Sequence, residues 1–146
     1  MNANSILLIE DNPSDVGLTE RALKKGNITN PLVVAGDGQE GLDYLFCEGA
    51  HAGRADRAPP VLVLLDLKLP RLDGLDVLRR IRADPRSHRV PVVILTSSRE
   101  EQDVAAGYDL GVNSYIRKPV DFHQFADVIR QIGLYWLVIN ESPHGA

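Results

Sequence analysis

The chain holds one cysteine, Cys47, among its 146 residues. No internal disulfide is possible, and a cytoplasmic setting is the expectation. Long apolar runs are also missing. Nowhere do 18 apolar residues follow one another, and the opening stretch MNANSILLIEDN has neither a basic region nor a long apolar segment. Neither a membrane span nor a secretory leader is expected. Basic charge is in deficit, with 16 Lys and Arg against 20 Asp and Glu. The formal net charge of -4 and the pI near 5.5 argue against a nucleic-acid or anionic-membrane surface, which needs clustered Lys and Arg. The phosphate-cradling patterns GxxxxGK[ST] and GxGxxG do not occur, which disfavours a nucleotide or flavin module. His51, His88, His123 and His144 lack zinc-site spacing and read as surface residues. There is no internal repeat and no low-complexity tract.

What is present is an ordinary globular composition, 44% hydrophobic and 25% charged, in a chain long enough for one full core. One domain is expected over residues 1–146, with its core at about 4–139 and a short tail that leaves no room for an output domain. The run VLVLLDLKLP (61–70) reads as a strand covered on both faces, ending at Asp66. SILLIE (5–10), PLVVA (31–35), VPVVILTSS (90–98) and NSYIRKP (113–119) read as four more strands. Between them lie helical patterns. Asn12 and Pro13 start a helix that runs to about Lys25 and is stopped by Gly26 and Asn27. Asp37 and Glu40 have capping-box spacing before a helix through about Phe46. Leu75, Leu78 and Ile81 mark a third helix, ended by Asp84 and Pro85. Residues 99–110 form a polar helix with Val104 and Tyr108, stopped at Gly111. Asp121 caps a last helix with Phe122, Phe125, Ile129, Ile132 and Trp136 on one face. The segment 48–60 has the Gly, Ala and Pro content of an exposed connection. Alternating strands and helices imply an α/β fold: a parallel sheet of five strands with five helices on its two faces and right-handed crossovers.

The polar residues fall at one edge of that sheet. Glu10 and Asp11 end the first strand, Asp66 the third, Thr96 the fourth and Lys118 the fifth. In the flavodoxin-like order 2-1-3-4-5 the first and third strands are neighbours at the switch point, so three carboxylates meet in one cleft. Crowded carboxylates must protonate, disperse into water or share a cation. An all-oxygen site with room for waters suits Mg²⁺. Taken singly, each residue has an ordinary explanation: Glu10 and Asp11 serve a helix N-terminus, Asp66 a turn, Thr96 a strand end, and Lys118 a solvated loop. Taken together, a cation site, a nucleophilic carboxylate, a hydroxyl and an ammonium are the parts needed to accept and hold a phosphoryl group.

EDN (10–12), LLDLKLPRLDG (64–74), ILTSS (94–98) and YIRKP (115–119) resemble the receiver domain of two-component response regulators, over essentially residues 4–139. The resemblance implies the CheY-like (βα)5 three-layer fold and Mg²⁺, or Mn²⁺, as cofactor. It implies Asp66 as phosphoacceptor, Glu10, Asp11 and the Lys68 backbone carbonyl as further metal ligands, and Lys118 as the cation at the phosphoryl oxygens. Thr96 and Tyr115 are implied as the switch pair, acting on the surface of the fourth helix, fifth strand and fifth helix. Lys118–Pro119 is implied to be cis. The long 48–60 connection and the Tyr135-Trp136-Leu137 cluster resemble single-domain regulators paired with phytochrome-type histidine kinases. A sensor histidine kinase is the expected partner. Leu134, Tyr135, Val138 and Ile139 lie largely outside the core stripe of the last helix and are expected to form a homodimer interface. A phosphatase of the haloacid dehalogenase type is the rival enzyme reading, but it needs a second acid where this chain has Lys68. A receiver-like module that binds without phosphorylation is the other alternative.

Overall fold

The computed structural model describes residues 5–54 and 58–133. Five strands, β1 (Ile6–Ile9), β2 (Leu32–Ala35), β3 (Leu62–Asp66), β4 (Val92–Thr96) and β5 (Ser114–Arg117), form one sheet in the order β2-β1-β3-β4-β5. Every pairing is parallel. The helices are α1 (Pro13–Lys25), α2 (Gly38–Phe46), α3 (Gly74–Ala83), α4 (Arg99–Ala106) and α5 (Phe122–Gln131). This is the expected (βα)5 architecture. Among the described residues, no helix is long and apolar enough to cross a membrane.

The continuous apolar runs have a direct cause in the layering. In β1, β3 and β4 every residue is buried, because helices cover both faces of the sheet. Alternate side chains feed two separate cores. Ile6, Leu8, Leu64 and Leu95 pack with Leu23 of α1 and Phe125 and Ile129 of α5. Leu7, Ile9, Leu65 and Ile94 pack with Leu42 of α2 and Leu78 and Ile81 of α3. Parallel strands in this arrangement deliver all their carboxyl ends to one edge.

The helix starts follow local chemistry. The Asn12 side chain accepts from the Ser14 and Asp15 amides with Pro13 next in line, and Asp37, Asp73, Ser98 and Asp121 cap the other four helices in the same way. Glu40 does not close its box on Asp37; its Oε1 accepts from the Gly36 amide instead. At the end of α1 the left-handed residue is Asn27, at φ 59°, and Gly26 stays at φ -87°.

One other expectation needs correction. The fourth helix stops at Ala106 with Gly107 as its cap, short of Gly111. Val104 and Tyr108 are 58% and 50% exposed, so this apolar pair does not face the core; Ala105 is the buried residue of α4. The 48–60 connection is largely exposed where it is described, as expected, and it carries local structure of its own. A 3-10 turn spans Gly49–His51, and the Arg54 guanidinium sits 3.9 Å from the Tyr44 ring centroid and donates to the Tyr44 carbonyl. Trp136 lies outside the described residues.

Candidate functional site

The site grows from the ends of β1, β3, β4 and β5. Asp66 is the last residue of β3 and is buried. The turn after it is held by Gly74, whose amide donates to the Leu67 carbonyl at 2.9 Å. A Cβ on Gly74 would come within 2.5 Å of the Asp66 carbonyl oxygen, so only glycine lets α3 begin against the backbone that carries Asp66.

Glu10 follows β1, buried beneath the cleft, while Asp11 beside it is exposed. One oxygen from each of Glu10, Asp11 and Asp66 lies within 4.8 Å of the others. Three hard oxygen donors with one side open to solvent suit Mg²⁺ or Mn²⁺, which bind through few carboxylates and retain waters. The residues therefore fit the expected divalent ion. Lys68 contributes differently from its neighbours: its amide lies 3.4 Å from Asp66 Oδ1, and its side chain turns outward to pair with Glu101 at 3.0 Å.

Lys118, just past β5, reaches back across the cleft. Its Nζ lies 3.0 Å from Glu10 Oε1, 3.1 Å from Asp66 Oδ2 and 3.0 Å from Asp15 Oδ2. Burial opposes its charge, yet the hydrogen bonds to Glu10 and Asp15 and the charges of Asp66 and Glu10 outweigh burial and hold the ammonium above its ordinary range. Burial pushes the Glu10 carboxyl up, the Lys118 ammonium beside it pulls it down and the Asp66 charge pushes it up again, leaving it at about 7 against its ordinary 4.5. The Lys118–Pro119 peptide bond is cis. The Lys118 amide donates to the Thr96 carbonyl at 2.8 Å, which registers the ends of β4 and β5.

Thr96 is fully buried, and its Oγ1 has no hydrogen-bond partner among the described residues. Such a hydroxyl is costly to leave unpaired and is free to donate to a new acceptor. Tyr115 stands opposite Ile94 on β5, half-buried, with its phenol pushed up by burial. Leu134, Tyr135, Val138 and Ile139 lie outside the described residues.

Two residues of the site were not anticipated. Asp15 lies in the first turn of α1, three residues past the Asn12 cap, at the carboxyl edge of the sheet. Glu101 stands at capping-box spacing from Ser98 and, like Glu40, reaches one residue past the cap: its amide donates to Ser98 Oγ, and its Oε1 accepts from the Ser97 amide at 2.8 Å. Burial works against the Glu101 charge, but the Ser97 amide and Lys68 win and lower its pKa. An open groove of about 750 Å³ runs beside this pair, lined by Lys68, Glu101, Leu69, Leu75 and Val104.

The model of the response regulator receiver domain matches residues 6–130. The chain belongs to that family. It is a signalling receiver domain rather than a conventional enzyme, and the proteins it resembles include bacteriophytochrome response regulators. It is 46% identical to the bacteriophytochrome response regulator RtBRR, with a TM-score of 0.88 over 97% of this chain and 85% of that one. It is 49% identical to the bacteriophytochrome response regulator AtBRR, with a TM-score of 0.87 over 94% and 98%. Response regulator Rcp1 of Synechocystis is 38% identical over 139 residues, covering 94% of this chain and 92% of Rcp1. The Mn²⁺-bound form of Rcp1 aligns with a TM-score of 0.71 at 37% identity, covering 92% and 94%. In this receiver the Glu10, Asp11 and Asp66 cluster is suited to the same class of ion.

Proposed function

We propose that this receiver domain works in the cytoplasm as a response regulator that accepts a phosphoryl group from a sensor histidine kinase onto Asp66. The observation that carries the reading is the Lys118 ammonium 3.1 Å from Asp66 Oδ2, with that same carboxyl group in the oxygen cluster of Glu10 and Asp11. Asp66 is the nucleophile, placed at the carboxyl end of β3 beside the oxygen cluster and the Lys118 ammonium. Glu10, Asp11, Asp66 and the Lys68 carbonyl hold the divalent ion, which when bound neutralises charge on the phosphoryl oxygens. Lys118 acts as a point charge on the same oxygens. Asp66 phosphorylation adds negative charge and new acceptors beside the unpartnered Thr96 hydroxyl, which turns to donate to one of them. Tyr115 then moves into the space Thr96 leaves, and the α4, β5 and α5 surface is rebiased for partner binding. A hydrolase of the haloacid dehalogenase type is disfavoured, because Lys68 offers no acid and its side chain is turned outward to Glu101.

The test is intact mass after incubation with a small phosphodonor and Mg²⁺. Wild type gains one phosphoryl group and Asp66→Asn gains none; equal incorporation by both removes the reading. The likeness to RtBRR and AtBRR supports a phytochrome-type kinase as donor. Phosphotransfer from such a kinase should outpace transfer from unrelated histidine kinases, and equal rates would remove that partner. Leu134, Tyr135, Val138 and Ile139 are proposed to form a homodimer interface. Sedimentation of wild type and a Tyr135→Glu, Val138→Glu double variant, with and without phosphodonor, tests it; a wild type monomeric in both states defeats it.

A further inference from the structure

We propose that Asp15 is a positioning residue for phosphoryl transfer: it keeps the Lys118 ammonium over the cleft while the Asp66 oxygen that also holds Lys118 is taken up in the reaction. The inference rests on the reading of Asp66 as acceptor.

An ammonium has three N–H donors on a flexible stem, so the Lys118 backbone alone does not place Nζ. Three carboxylates place it, at 3.0, 3.0 and 3.1 Å. Two of the three have other duties. Asp66 loses its carboxylate charge when one of its oxygens becomes bonded to phosphorus, and Glu10 belongs to the oxygen cluster that suits the divalent ion. Asp15 belongs to neither. It is the partner whose hold on Lys118 survives the reaction unchanged.

Asp15 is itself well anchored. Its amide donates to Asn12 Oδ1 at 3.2 Å, its carbonyl accepts from Thr19 Oγ1 at 2.9 Å, and its charge lies in the first turn of α1, where the helix dipole favours it. A solvent-exposed ion pair would count for little. Here the Lys118 side chain is 14% exposed, and the contact joins residues 103 apart in the chain, linking α1 directly to the end of β5.

With acetyl phosphate as donor, an Asp66 carboxylate oxygen forms a bond to phosphorus as the phosphorus–oxygen bond to acetate breaks. Acetate leaves with that electron pair, and no proton is required. The experiment follows phosphate incorporation by wild type, Asp15→Asn, Asp15→Ala and Asp66→Asn at saturating Mg²⁺, and in parallel the Mg²⁺ midpoint for thermal stabilisation of each, with Asp11→Ala as the reference for a lost metal ligand. Asp15→Ala should lose about tenfold in rate, the worth of one charge-assisted hydrogen bond. Asp15→Asn keeps an oxygen acceptor of the same shape and should recover part of that loss. The Mg²⁺ midpoint of both should stay within about threefold of wild type, since Asp15 is outside the oxygen cluster that suits the ion. A rate for Asp15→Ala within about twofold of wild type, with Asp66→Asn inert, overturns the inference and leaves the acceptor reading standing. A Mg²⁺ midpoint shifted as far as that of Asp11→Ala also overturns it, because Asp15 would then act through the ion. Incorporation by Asp66→Asn equal to wild type overturns both readings.

Discussion

Replacing Lys118 by Met keeps much of the stem and removes the charge, leaving Glu10, Asp15 and Asp66 to face one another without a counter-ion. Each contact is about 3 Å long, and at an effective dielectric near 20 each is worth about 5 kcal/mol before desolvation is subtracted. Removing one partner from a buried ion pair costs about 3–5 kcal/mol. That is a large share of the roughly 5–15 kcal/mol that holds a domain folded. Lys118→Met should therefore lose about 3–5 kcal/mol at pH 8 in chelator, read from urea unfolding. Glu10 supplies the pH dependence. Its carboxyl sits at about 7 in the fold against an ordinary 4.5, and Lys118 is what pulls it down. A raised carboxyl contributes stability fully below its unfolded pKa and loses it as pH rises through the folded one, because the folded state then binds more protons than the unfolded state. Without Lys118 the folded value climbs further. The variant's deficit should accordingly be smallest near pH 5 and grow as pH passes 7. Saturating Mg²⁺ should restore most of it and should raise the variant's midpoint more than that of wild type. A variant as stable as wild type at pH 8 in chelator would refute the reasoning, as would a deficit that ignores both pH and Mg²⁺.

Removing Asp11, the exposed member of the oxygen cluster, should leave the chain at least as stable in chelator and poorly stabilised by Mg²⁺. An unchanged Mg²⁺-dependent rise in thermal midpoint would reject its role. Arg82 donates to the carbonyls of His88, Val90, Leu110 and Gly111 and to Asn113 Oδ1, tying the end of α3 to the loops that enter β4 and β5. Arg82→Ala should cost about 3 kcal/mol in urea unfolding through the acceptors it leaves unpaired, and a loss under about 0.5 kcal/mol would contradict that.

The sheet was legible because strands covered on both faces must be apolar throughout, and β1, β3 and β4 are the most uniformly apolar runs in the chain. Once strand order is settled, the carboxyl ends fall together and bring Glu10, Asp11 and Asp66 into one cleft. Helix starts were legible too, since Asn12, Asp37 and Asp121 satisfy amides that have no partner within the helix. Helix 4 was harder. Val104 and Tyr108 stand exposed, and the residue that α4 buries is Ala105, which nothing in so polar a stretch singles out. The Asp15–Lys118 contact leaves no local trace, because a pair 103 residues apart is made where the start of α1 and the segment after β5 meet at the carboxyl edge of the sheet, and not by any pattern within α1. Arg54 hides in the same way: the Gly, Ala and Pro content of its segment says loop, and nothing in it foretells a guanidinium stacked on Tyr44.

The central claim is that the carboxylate at the end of β3 takes the phosphoryl group. Borohydride reduces an acyl phosphate on aspartate to homoserine, which marks the acceptor position permanently for peptide mass spectrometry. After incubation with a small phosphodonor and Mg²⁺, homoserine should appear at Asp66 and at no other carboxylate. Conversion at Asp11 or Asp15, or an unmarked Asp66 in a chain that has gained phosphate, would contradict the account.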